Sequence, residues 1–191
     1  MSPQFTIYNL KFAISCLYFF LPAYFTNMSA PIAKKLGILK FLDRPVDFNK
    51  KFFGKEILGS HKTWRGVIFG MIVGILVALF QSFLYQFSFF KKISILDYQK
   101  INVFYFGFLI SFFAVLGDLF FAFIKRRIGI KPGGKFLPFD QTNYVILNAL
   151  FLGPIFKIPF SVWITLFFLT FFLHLIVNYF GFLLGISKSK W

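Results

Sequence analysis

Apolar runs at residues 5–26, 66–90, 101–124, 142–157 and 160–185 constrain this chain more than any other feature. An α-helix needs about 20 apolar residues to cross the hydrocarbon core of a bilayer. Inside lipid every backbone N–H and C=O must be paired within the protein, so such runs become helices. Of the 191 residues, 58% are hydrophobic, against roughly 45–50% in a soluble globular protein. The expected fold is an all-α integral membrane protein with about five transmembrane helices, forming a single transmembrane domain over residues 1–191. The fourth run is the most dilute, because Asn143, Asn148, Gly153 and Pro154 interrupt it.

Charge sets the expected orientation. The chain carries a net charge of +15 with only 6 acidic residues. Its cations crowd residues 27–65 and 125–141, with Lys188 and Lys190 in the tail, while Lys91, Lys92, Lys100 and Lys157 are the few on the opposite side. Basic loops stay in the cytoplasm. Both long loops are thus expected at the cytoplasmic face of the inner membrane, with the N-terminus outside and the C-terminus inside. The same charge points to anionic partners, namely lipid headgroups and phosphates. Nucleic acid is not expected, because the cations lie in short loops between spans. The lone Cys16 sits in an apolar run and offers neither a disulfide nor a zinc site.

Small and polar residues recur along the spans. They are Gly66, Gly70, Gly74 and Ala78 in the second, and Gly107, Ser111, Ala114, Asp118, Ala122 and Lys125 in the third. The fifth has His174, Asn178, Gly181 and Gly185. Such stripes mark where helices approach closely in lipid. The stripe of the third span turns Asp118 toward the bundle interior. A carboxylate inside an apolar helix costs about 2.5–3.5 kcal/mol on insertion scales, so it is retained for a purpose. A salt bridge to Lys125 on the same face is the structural alternative.

Two loops look chemical. Residues 59–66 read Gly59-Ser60-His61-Lys62-Thr63-Trp64-Arg65-Gly66 and run straight into the second span. Glycine lets backbone approach a phosphate, and Ser60, Lys62, Thr63 and Arg65 supply donors to its oxygens. An ordinary basic loop on acidic lipid is the competing reading. His61 is a candidate base or a structural hydrogen-bonding residue. The second loop ends at Asp140-Gln141-Thr142-Asn143, where Asp140 also suits the N-cap of the fourth span. Magnesium takes oxygen ligands, often one or two carboxylates completed by substrate phosphates. Asp118 and Asp140 beside so many cations suit a metal and a phosphorylated ligand together.

These blocks resemble a family. Gly59 to Gly66, Gly117-Asp118-Leu119 followed by Lys125-Arg126-Arg127, and Lys131-Pro132-Gly133 with Pro138-Phe139-Asp140-Gln141 are similar to membrane cytidylyltransferases of the CDP-archaeol synthase type, relatives of CDP-diacylglycerol synthase. The resemblance covers about residues 20–185. It implies magnesium-dependent transfer of CMP from CTP to a lipid phosphate, with release of pyrophosphate. It assigns Asp118 and Asp140 as catalytic and metal carboxylates, with Asn143 at a third metal position. Ser60, Lys62, Thr63, Arg65, Lys125, Arg126 and Lys131 would hold CTP and lipid phosphates. The family pattern has Asp where this chain has Asn143 and Ser where it has Ala122, so the charge of the metal site is reduced. A lipid-binding or interaction protein that kept the fold without the chemistry is the alternative function. Membrane lipids are expected partners, and a homodimer is left open.

Overall fold

The computed structural model describes residues 3–183, so Gly185, Lys188 and Lys190 lie outside the described residues. Six α-helices follow one another among the described residues: α1 (Pro3–Leu36), α2 (Trp64–Leu84), α3 (Ser88–Ile93), α4 (Val103–Arg127), α5 (Phe139–Phe156) and α6 (Phe160–Leu183). A small hairpin, β1 (Lys51–Phe52) and β2 (Lys55–Glu56), lies in the first long loop. By length and composition α2, α4 and residues Phe160–Val177 of α6 are able to cross a membrane.

α1 packs on α2, α2 on α4, α4 on α5, α5 on α6, and α6 returns to α1. Helix approach follows the small-residue stripes. A Cβ on Gly74 would collide with Ser111 Oγ of α4 and Thr26 Oγ1 of α1, so three helices meet there. A Cβ on Gly117 would lie 2.7 Å from the Asn143 carbonyl, which seats α5 against α4 at the level of Asp118. Inside the ring, Phe19, Phe20, Phe106, Tyr144 and Trp163 pack in edge-on, tilted and stacked pairs. Cys16 is buried among them as a free thiol.

Two boundaries differ from the sequence expectation. Residues 27–36 are helix rather than loop, because α1 runs unbroken through Pro22 and Pro31. A proline removes the N–H that would bond the carbonyl four residues earlier. Here the Tyr18 carbonyl accepts a hydrogen bond from Gln81 Nε2 of α2 instead. At 34 residues and 1.5 Å per residue, α1 is about 51 Å long and outreaches a hydrocarbon core of about 30 Å. The second run also breaks at Leu84 instead of continuing to residue 90, and α3 follows as a separate short helix. Hydropathy does not register a break between equally apolar residues.

Candidate functional site

The starts of α2 and α5 and the ends of α1 and α4 meet at one end of the bundle, which carries Lys34, Lys35, Arg65, Lys125, Arg126 and Arg127. A cavity of about 610 Å³ opens there between α1, α2, α4 and the first loop. Its walls include Thr26, Asn27 and Lys34 of α1, Ser60 to Gly66 apart from Trp64, and Asp118.

The loop segment is held from two sides. Residues 44–46 pair with 62–64 through Val46 N–H to the Lys62 carbonyl at 2.8 Å and Trp64 N–H to the Arg44 carbonyl at 2.9 Å. The buried Asp47 carboxylate accepts from Asn49 N–H at 3.0 Å, Leu58 N–H at 2.8 Å and Gly59 N–H at 3.2 Å. Gly59 sits at φ +107°, a conformation open to glycine. Thr63 then caps α2, its hydroxyl oxygen accepting from Gly66 N–H at 3.4 Å. The Thr63 oxygen thus works first as a cap, leaving its proton to give. Nothing in the apolar pattern marked Asp47; its position shortly after Pro45, at the head of the glycine-containing loop, was the available signal.

Charges pair across the site. Lys62 Nζ lies 2.6 Å from both Asp118 oxygens. Lys125 Nζ lies 2.7 and 2.8 Å from the two oxygens of Asp140. Asp118 therefore does not pair with Lys125. Asp140 does not cap α5 either: Pro138 holds the N-cap position, and the Asp140 carboxylate accepts from Phe136 N–H at 2.8 Å. The buried Arg65 meets Asp43 at 2.9 Å on the cavity wall. Lys131 is exposed and stands away from the cavity lining.

His61 lines the cavity and lies within electrostatic reach of Lys62 and Asp118 and of Lys125 and Arg126 in the last turn of α4. Desolvation first, then the Lys62 charge, hold its pKa below the ordinary 6.5, partly opposed by Asp118. Beside it Arg126 is 4% exposed, with Nε and Nη1 unpartnered. A buried guanidinium with idle donors suits phosphate oxygens. On α5 the buried oxygens Asn143 Oδ1 and Gln141 Oε1 also lack partners. Idle cationic donors and idle oxygen acceptors together suit a ligand that brings both negative charge and a metal ion. Among the described residues, no group of three or more His, Cys, Asp or Glu side chains forms a metal cage. The carboxylates are instead offered singly, so phosphate oxygens would complete a metal shell.

The family profile described as CarS-like: CDP-archaeol synthase matches residues 7–191. The chain is 34% identical over 189 residues to the CDP-archaeol synthase of Methanocaldococcus jannaschii, covering 96% of this chain and 99% of that protein. It is 35% identical over 180 residues to the CDP-archaeol synthase of Pyrobaculum islandicum, covering 92% of this chain and 98% of that protein. Its fold is similar to a solved structure described as an intramembrane enzyme for archaeal membrane lipids biosynthesis. That match has a TM-score of 0.67 at 22% identity, covering 85% of this chain and 91% of the other.

Proposed function

The chain belongs to the CDP-archaeol synthase family and is an integral membrane protein, and from that premise we propose that it transfers CMP from CTP to an archaeal lipid phosphate, forming CDP-archaeol and pyrophosphate. The observation that carries this reading is the site itself: the Lys62–Asp118 pair lines a 610 Å³ cavity at the end of a membrane bundle, and the same end of α4 carries a second carboxylate–lysine pair, Lys125–Asp140, and the buried Arg126 with idle donors.

In the proposed reaction an oxygen of the lipid phosphate attacks the α-phosphorus of CTP. The bond from that phosphorus to the bridging oxygen breaks, and pyrophosphate leaves with the electron pair. The attacking oxygen is already anionic, so no strong base is required. His61, held neutral by its surroundings, is left to accept or donate hydrogen bonds at the rim. Lys62, Lys125 and Arg126 bind the phosphates and offset charge that grows on the leaving group, an electrostatic contribution made by groups already in place. Ser60, Thr63 and Arg65 line the α2 end of the cavity, where the positive end of the helix dipole favours an anion. Lys131 contributes at longer range, from the loop.

The oxygen-only donor set fits magnesium, and Asp118, Asp140 and Asn143 are the residues that would hold it. When bound, magnesium supplies neutralisation of the triphosphate and polarises the phosphorus under attack. Each lysine would then pass from its carboxylate to a phosphate, so every charge keeps a partner. We place α1 and α5 across the membrane with α2, α4 and α6, the basic end facing the cytoplasm, where CTP is available.

The test is a transfer assay on purified protein with CTP labelled at the α-phosphate and the lipid phosphate in vesicles. Labelled lipid and an equal amount of pyrophosphate are expected. Asp118→Asn should abolish both while leaving the protein folded. Normal turnover by Asp118→Asn would overturn the assignment of Asp118. Lipid binding with no transfer by the unaltered chain would favour the non-catalytic reading.

A further inference from the structure

The β1–β2 hairpin carries a residue that its own backbone disfavours. Lys51 pairs with Glu56 and Phe52 with Lys55, leaving Phe53 and Gly54 as the two turn residues. Their φ angles are +49° and +74°. A two-residue turn with both positions left-handed is normally Asn-Gly or Gly-Gly. A bulky side chain there is an outlier. Phe53 gains little inside the protein to offset this: it is 87% exposed, and its ring contact is with Phe52 at 4.5 Å. Phe48 repeats the pattern, at φ +51° and 62% exposed. Strain kept at exposed positions points to a use outside the chain.

The hairpin is fastened to a membrane helix. Arg127, the last residue of α4, donates to the carbonyls of Phe52, Lys55 and Glu56. Lys55 Nζ returns a bond to the Arg127 carbonyl at 3.2 Å. The Arg127 guanidinium also lies over the Phe52 ring at 5.4 Å. The hairpin thus sits at the height where a membrane-crossing helix ends. Exposed Lys50, Lys51 and Lys55 flank its rings. Aromatic rings and lysines together match the headgroup layer, where rings enter the chain boundary and ammonium groups meet lipid phosphates.

We propose that the hairpin is an interfacial foot: Phe52 and Phe53 insert into the headgroup layer of the bilayer, and Lys50, Lys51 and Lys55 engage the phosphates of anionic lipids. Its partner is the lipid surface. Because Gly59 to Arg65 follow only two residues after the hairpin, seating the foot sets the height of the cavity mouth and brings anionic lipid beside it.

The experiment places tryptophan at the tip. Phe53→Trp is reconstituted in vesicles of zwitterionic and anionic phospholipid whose chains are brominated near the headgroup. The fluorescence added over wild type should be quenched by bromine and shielded from aqueous iodide. Quenching by iodide and not by bromine would overturn the proposal. Shielding that appears only on adding a soluble protein extract would overturn it too, in favour of a protein partner. Phe53→Asn supplies the second readout. Asparagine suits the turn, so melting temperature in detergent should hold or rise. Meanwhile the KM for lipid phosphate in vesicles should rise several-fold with the KM for CTP and kcat unchanged. An unchanged lipid KM would refute the delivery role. The quenching measurement needs no nucleotide, so it stands or falls apart from the transfer reaction.

Discussion

Asp118 is clasped by Lys62 across 56 residues of chain, and this partner decides what substitution at either residue does. Lys62→Met removes a positive charge from a carboxylate that is one-third exposed. The free carboxylate should then bind divalent metal more tightly in the absence of nucleotide, while transfer is lost because a phosphate donor is gone. Manganese titration followed by electron paramagnetic resonance checks this, and an unchanged affinity would remove Asp118 from the metal site. His61 supports a second prediction. Its pKa is depressed below 6.5 in the folded protein, so the folded state favours the neutral ring. The resulting stability is present above the unfolded pKa and lost as pH falls through the folded value. Acidification below 6.5 should therefore destabilise wild type more than His61→Gln, as read from melting temperatures of the two proteins across that range. Asp118, Asp140, Lys62 and Arg126 were legible in the sequence as types and motifs. Their pairing was not, because helical spacing placed Lys125 under Asp118 and nothing in one dimension tells which loop folds back.

At the scale of elements, the joint between α1 and α2 depends on one amide. Gln81 Nε2 donates to the Tyr18 carbonyl that Pro22 leaves without a helical donor, and Gln81 Oε1 accepts from Tyr98 Oη at 3.1 Å. Gln81→Leu should orphan both groups in a buried place, at about 1–3 kcal/mol for each unsatisfied group. The loss is measured as a lowered melting temperature in detergent, and a variant as stable as wild type would show that α1 rearranges. The glycine stripe of α2 was legible as a packing face, yet its partner was missed. Gly66 meets Ala30, and Gly70 meets Thr26 and Ser29; Ala30 and Ser29 lie on the part of α1 that hydropathy assigns to loop. A packing stripe reaching to the very start of α2 needs an opposing helix there, and that was the available signal. The hairpin left no such trace, since strands of two residues carry no periodicity.

For the whole molecule, the proposed orientation puts residues 37–63 and 128–138 on one side of the membrane and the start of α1 on the other. A cysteine replacing Lys131 in a Cys16→Ser background should resist an impermeant external reagent in intact cells and react after permeabilisation. External labelling before permeabilisation would invert the orientation. What the sequence determined alone was the solvent of this protein and, through its motifs, its family. Long apolar runs admit helices and little else in lipid, and a carboxylate among cations at a helix end is chemically specific wherever the chain carries it. Tertiary structure decided the rest: which lysine holds which carboxylate, how far α1 extends, and how Asp47 and Arg127 fasten the first loop. The lysine–carboxylate pairs depend on side chains from distant segments meeting in space, and the Asp47 and Arg127 contacts end on backbone N–H and carbonyl groups. Nearly every residue carries those backbone groups, so no residue type announces such contacts in advance.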